Sequence, residues 1–251
     1  MGSSVTGKKI FSPGRFFGIN NVSNPTPARA YVPQDMSIDF KQTTKELFGE
    51  KKFSVAVAAG EMSITGKVTM GAQNARILAD LLFNVSGVSG TIAQVDKEAA
   101  TIPSTPFQIT VANGATWTTD LGVMLASDGT VFIRVASAPA TGQYSVAAGG
   151  VYTFAAADTG KAMVISYLYT IASSGEKLTL SNQLQGPTGS FTGVMVFPYG
   201  SDQDVLTLNN CIPQDHGLAT KLSDFGKPTL GFMASTDSAD VLGTYAFSQA
   251  A

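Results

Sequence analysis

His216 is the single histidine of the chain, in Pro213-Gln214-Asp215-His216-Gly217. An imidazole next to a carboxylate has the makings of a general base. The spacing works against it, because adjacent residues of a strand point to opposite faces. No nucleophile motif of the G-x-S-x-G kind accompanies the pair, so the segment reads as a turn histidine. Cys211 is also single and closes a strand-like run beside Asn209, Asn210 and Ile212. A free cysteine in that setting behaves as a small buried hydrophobe rather than as a thiolate nucleophile. Asp202 and Asp204 stand two apart and could share a calcium ion, but the other spaced oxygen ligands are missing. They read as a solvated turn. One cysteine and one histidine cannot build a four-ligand zinc site, so neither metal nor cofactor is expected.

Gly2-Ser3-Ser4-Val5-Thr6-Gly7-Lys8 fits the front of a phosphate-binding loop. Lys9 then stands where Ser or Thr must hold magnesium, and no strand precedes to fix the loop's amides around a phosphate. Trp117, Tyr144, Tyr152, Tyr167 and Tyr169 could stack on a glycan, but aromatic residues on strands are more often sheet packing. Asn21-Val22-Ser23 and Asn84-Val85-Ser86 match the glycosylation sequon by chance, since no secretion signal is visible. Without a catalytic constellation, an enzyme is not expected.

The elements that position these residues are β-rich. Charged residues make up only 14% of the 251, sparse for a monomer that must keep its whole surface soluble. Net charge of −2 and a pI near 5.3 argue against a dedicated nucleic-acid binder. Before Asp35 the charges are all basic (Lys8, Lys9, Arg15, Arg29), so an acidic body follows a basic start. One cysteine excludes an intrachain disulfide. No apolar run has the length of a membrane span.

Residues 1–30 read as an extended arm, interrupted by Pro13, Pro25 and Pro27, whose Phe11, Phe16, Phe17 and Ile19 need a home on this body or on a neighbour. From Tyr31 the period is two. Met36, Ile38 and Phe40 alternate with polar residues, and Met62 to Met70 keeps one apolar or glycine face throughout. Lys45 to Lys52, around Gly49, reads as the tip of a long hairpin. Residues 73–83 form the one convincing helix, with Ile77, Leu78, Leu81 and Leu82 on a face and Arg76 paired to Asp80. Residues 101–163, rich in Ala, Gly, Thr and Ser, read as a small all-β insertion into a main β domain of 31–100 and 164–251. The fold class expected is mainly β, an antiparallel sandwich or barrel with one flanking helix.

Three stretches resemble the major tail tube proteins of long, non-contractile bacteriophage tails. The first runs from Lys45-Glu46-Leu47-Phe48-Gly49 through Phe53–Ala58 and Ile64–Lys67 to the helix. The second is Gly142–Val146 with Gly150–Phe154 and Ile165–Tyr167. The third is Leu206–Cys211 with Leu218–Phe225, closing at Gly243–Tyr245. The resemblance implies a virion protein, assembled in the host cytoplasm, that forms homohexameric rings stacked into a hollow tube. Its partners would be its own copies, other tail proteins, the tape measure protein and DNA passing through the lumen without specific binding. It implies that the amino-terminal arm and the hairpin tip at 41–53 bridge subunits or rings. The interface candidates are then Phe11, Arg15, Phe16, Phe17, Lys45, Glu46, Phe48, Glu50, Lys51 and Lys52, with the insertion decorating the outside. The alternatives are a capsid decoration or other virion surface protein, or an adhesin-like glycan-binding β module.

Overall fold

The structure is a computed structural model that describes residues 13–85, 87–182, 189–200 and 202–248. The chain divides into two compact units, Met1–Gly87 with Leu178–Ala251, and Val88–Lys177. In chain order the larger unit begins with β1 (Arg15–Asn20), β2 (Ala28–Arg29), β3 (Pro33–Phe48), β4 (Ser54–Met70) and a short helix, Ile77–Phe83. The smaller unit holds β5 (Val88–Thr101), β6 (Gln108–Thr110), β7 (Trp117–Leu125), β8 (Ile133–Arg134), β9 (Gln143–Ala147), β10 (Val151–Phe154) and β11 (Ala162–Lys177). The larger unit resumes with β12 (Phe191–Tyr199), β13 (Asp202–Gly217), β14 (Thr229–Ser235) and β15 (Gly243–Ala246). The fold is mainly β with antiparallel sheets, as the alternation implies, and the sheets are open rather than closed into a barrel.

The large sheet runs β2-β1-β12-β13-β14-β4-β3, with β15 added on β13. Ile64, Gly66, Val68 and Met70 of β4 are buried, which is the apolar face read from the sequence. β3 lies antiparallel to β4 from Pro33↔Met70 to Phe48↔Ser54, so residues 49–53 cap a long hairpin. The expected arm is corrected in its second half. Arg15–Asn20 pairs with β12 from Arg15↔Val196 to Asn20↔Phe191, and β2 pairs with β1 in turn. Phe16 is fully buried, 5.7 Å from the Phe232 ring and 6.3 Å from Phe191. Its partners lie far along the chain, which is why local Pro, Gly and Ser composition hid this strand. Phe11 lies outside the described residues.

The helix is shorter and wider than the 73–83 expectation. It takes the i→i+5 form over Ile77–Phe83, and the buried side chains are Ile77, Ala79 and Leu81 rather than the 77/78/81/82 face. The wider turn changes which residues meet the sheet. Leu81 lies over Gly18, where an added Cβ would come within 2.3 Å of its Cδ1. Arg76 does pair with Asp80, at 3.3 Å, and Asn84 ends the helix in the left-handed conformation with φ 47°.

The smaller unit extends beyond residues 101–163 on both sides, because β5 and all of β11 belong to it. It has a sheet β5-β11-β7 and a second sheet β6-β10-β9-β8, in which β8 and β9 are parallel. Val88 pairs with Lys177, so the unit's two ends lie side by side. Its core draws on both sheets, including Val123, Phe132, Tyr152, Phe154, Ile165 and Tyr167.

Phe16→Ala removes a ring from the centre of the larger unit. The substitution is expected to lower unfolding free energy by about 3–5 kcal/mol, read from urea denaturation. By the same logic, deleting residues 1–30 takes away β1 and uncovers Phe191 and Phe232. That truncation would destabilise the body instead of merely freeing it from assembly.

Candidate assembly surface

The residues with chemical potential are placed one by one as structural groups. Cys211 lies within β13, fully buried, and burial pushes its thiol up to about 12. It is therefore a neutral packing group at any ordinary pH. His216 is also in β13, opposite Leu230, and not in the turn expected of it. Desolvation holds its pKa below the usual imidazole value. Five residue steps along the strand separate it from Cys211, roughly 16 Å, so the two cannot act on one atom. Asp202 and Asp204 begin β13 and are not a solvated turn: Asp204 is 3% exposed and accepts from the Ser248 amide at 3.0 Å. Among the described residues no three His, Cys, Asp or Glu side chains converge as metal ligands.

Three of the five aromatic residues singled out in the smaller unit are inside it, and Trp117 and Tyr169 are half-buried against its core. Tyr144, Tyr152 and Tyr167 are all buried, so they offer no stacking face to a glycan. Their phenols are held by carboxylates. Tyr144 Oη donates to Asp120 Oδ2 at 2.7 Å, Tyr152 Oη donates to Asp120 Oδ1 at 3.0 Å, and Trp117 Nε1 donates to Tyr152 Oη at 3.3 Å. Arg134 lies 3.6 Å from the Asp120 carboxylate, whose side chain is 3% exposed. Tyr167 Oη donates to Glu98 Oε2 at 2.5 Å. Burial, then the Asp120 charge, pushes both the Tyr144 and Tyr152 phenols up. They stay protonated as donors, and Asp120 is the acceptor that makes their burial tolerable.

What remains is a surface built by the β3–β4 hairpin. β14 covers β4 only from Thr69 to Ile64. Beyond that point, residues 41–63 pair only with one another among the described residues. This distal ribbon is two strands wide, and such a ribbon is marginal in water without a further layer. Yet it carries Leu47, Phe48, Phe53 (87% exposed), Val55 (71%), Val57 and Met62 in the open. Directly opposed residues share a face, so Glu46 stands with Val57 and Thr44 with Ala59, while Lys45 stands with Ala58 and Leu47 with Ala56. Exposed Lys45, Glu46, Glu50, Lys51 and Lys52 put both signs of charge around these apolar residues. An apolar patch rimmed by charge is the form of a protein contact.

β3 is also the terminal strand of the sheet, sixteen residues long. An edge of that length invites pairing with another chain. Of the other candidates, Arg15 is exposed at the start of β1, and Phe17 is half-buried with the Arg29 guanidinium 5.7 Å above its ring. Phe16 belongs to the core and is withdrawn from the surface. Sequence reasoning missed Leu222 and Phe225, both exposed in the loop between β13 and β14. Thr229↔Thr69 places that loop at the opposite end of β4 from the hairpin tip. Two nearly adjacent large apolar residues in Lys221-Leu222-Ser223-Asp224-Phe225, among turn-forming residues, were the available signal.

No protein-family model matches the sequence, and no curated protein matches it significantly.

Asp120→Ala leaves two buried phenols without their acceptor. It is expected to cost about 1–3 kcal/mol for each, with Asp120→Asn milder because its amide oxygen still accepts. Urea unfolding followed by the fluorescence of Trp117, the single tryptophan, reads this unit directly.

Proposed function

We propose that the protein is a structural subunit that assembles with its own copies, of the tail tube type, forming rings stacked into a hollow tube that DNA traverses. The observation that carries this reading is the distal β3–β4 ribbon, which leaves Phe48, Phe53, Val55 and Val57 exposed with no second layer among the described residues. Fully burying four such side chains contributes about 6–12 kcal/mol, at about 1.5–3 each. Association costs roughly 4–15 kcal/mol in lost freedom. A single such contact is therefore weak, and closure into a ring, where each subunit makes two, favours assembly over isolated pairs.

Two further features support the reading. Charge is sparse at 14%, as suits a surface largely covered by neighbours. The net negative charge of −2 also suits a lumen along which phosphates slide without sticking. The tape measure protein and other tail proteins are the remaining proposed partners, and the virion tail the proposed location.

The purified protein is expected to form rings or hollow tubes in negative-stain electron microscopy. The double variant Phe53→Asp/Val55→Asp should remain folded by circular dichroism and show isolated particles only. Isolated particles from the unaltered protein at high concentration, both alone and with tail-tip components, would count against the proposal.

A further inference from the structure

The loop joining β13 to β14 carries an apolar knob. Lys221 and Asp224 bridge antiparallel across a tight turn, and Leu222 at its tip is fully exposed. Phe225 follows, 87% exposed, and Asp224 pairs with Lys227 at 3.8 Å. An added Cβ on Gly226 would meet the Ala219 carbonyl oxygen at 3.0 Å, so the two arms of the loop close on each other. Two large apolar side chains are thus held in water on a turn that the backbone defines.

An apolar groove lies at the other end of the same sheet. β14 ends at Ser235, and its last pairing with β4 is Ala234↔Ile64, while β15 returns to join β13 over Val205–Leu208. Between β15 and the β3–β4 hairpin this leaves a cavity volume of ≈ 150 Å³. Its floor is Ile64, Leu206 and Leu208, all buried, and its walls are Phe40, Leu242 and Tyr245. Phe40 shares its strand face with Met36 and Ile38, which pack on the core, yet it is 55% exposed. Met62, two residues from Ile64 on the same face, is exposed as well. The inward face of the hairpin is left unfinished at this point. From Leu208 to Gly217 β13 runs nine residue steps, so about 30 Å separates the groove from the loop.

We propose that Leu222 and Phe225 of one copy dock in this groove of a second copy, joining copies head to tail along the strands. The sizes match, because an apolar cavity of about 150 Å³ holds a benzene ring. It takes one of the two side chains, and the other covers Phe40 and Met62. Charge is complementary too. Lys221 is exposed beside the knob, and Asp224 is already paired to Lys227, so the turn is net positive. The turn leading into Leu242 carries Asp237 and Asp240, while Asp39 and Lys41 on either side of Phe40 offset each other. Knob and groove lie at opposite ends of one sheet, so the contact is heterologous and repeats from copy to copy without closing. It therefore stacks one ring on the next, whereas the distal ribbon closes the ring. This contact rests on the self-assembly proposed above.

Disulfide trapping between two singly substituted proteins tests it. Leu222→Cys and Phe40→Cys chains are mixed, allowed to assemble, oxidised and peptide-mapped by mass spectrometry. Both replaced side chains are exposed, and Cys211 is buried away from exchange. A disulfide from Leu222→Cys of one chain to Phe40→Cys of another is expected in most assembled molecules. In negative-stain images, Leu222→Asp/Phe225→Asp should give single rings that do not stack. Tubes that form without the mixed disulfide, a disulfide only between two Leu222→Cys chains, or tubes from the Asp variant would each overturn this contact and leave the assembly reading standing. Isolated particles of the unaltered protein together with no disulfide would overturn both. Linked strings of subunits without rings would support this contact and overturn the ring.

Discussion

Three phenylalanine rings from three strands meet in the larger unit, Phe16 of β1, Phe191 of β12 and Phe232 of β14, with centroids 5.7–6.3 Å apart. They fit only because the neighbouring strand has no side chain where the Phe232 ring lies. A Cβ on Gly66 would come within 2.2 Å of that ring. Phe232 pairs with Gly66, so this contact fixes the register of β14 on β4. A slip of one residue would put Lys67 or Thr65 there and turn the apolar face of β4 outward. The same register decides where β14 leaves β4, at Ile64. Everything of β4 from Ser54 to Ser63 is then surplus to the body's own packing, and that surplus is the exposed ribbon.

The smaller unit follows a different logic. Its core is rich in tyrosine, so burial brings hydroxyls that need acceptors. Asp120 and Glu98 supply them, Asp120 from within the unit with its side chain 3% exposed and Glu98 from a half-buried position. These groups look like candidates for chemistry when read singly. In place they are mutually satisfied, and among the described residues no buried side-chain nitrogen or oxygen is without a hydrogen-bond partner. Among the described residues these phenols and carboxylates are engaged with one another, whereas the exposed ribbon is apolar.

Much of the fold was legible where one face of a strand is buried and the other wet. The Met62–Met70 alternation and the hairpin around Gly49 are examples, because period and turn chemistry are local signals. β1 was not legible, since Phe16 owes its place to Phe191 and Phe232 while its neighbours in sequence are arm-like. β5 was hidden by its Ala and charged residues and by the irregularity at Lys97, with φ 61°. The helix lay where periodicity put it, but its wider turn and the contact of Leu81 with Gly18 were invisible. Of the proposed assembly surface, the hairpin itself could be read. Leu222 and Phe225 were signalled only by two large apolar residues among turn formers, a pattern that does not show whether a loop buries them or leaves them outside.

If the distal ribbon is the contact between copies, its amides should gain protection as copies meet. Hydrogen exchange measured by mass spectrometry across a wide range of protein concentration tests this directly. Peptides covering residues 41–63 should slow with rising concentration, while those covering Thr229–Ser235, already enclosed in the sheet, stay unchanged. Exchange of the ribbon at one fast rate, independent of concentration even when assemblies have formed, would contradict the account.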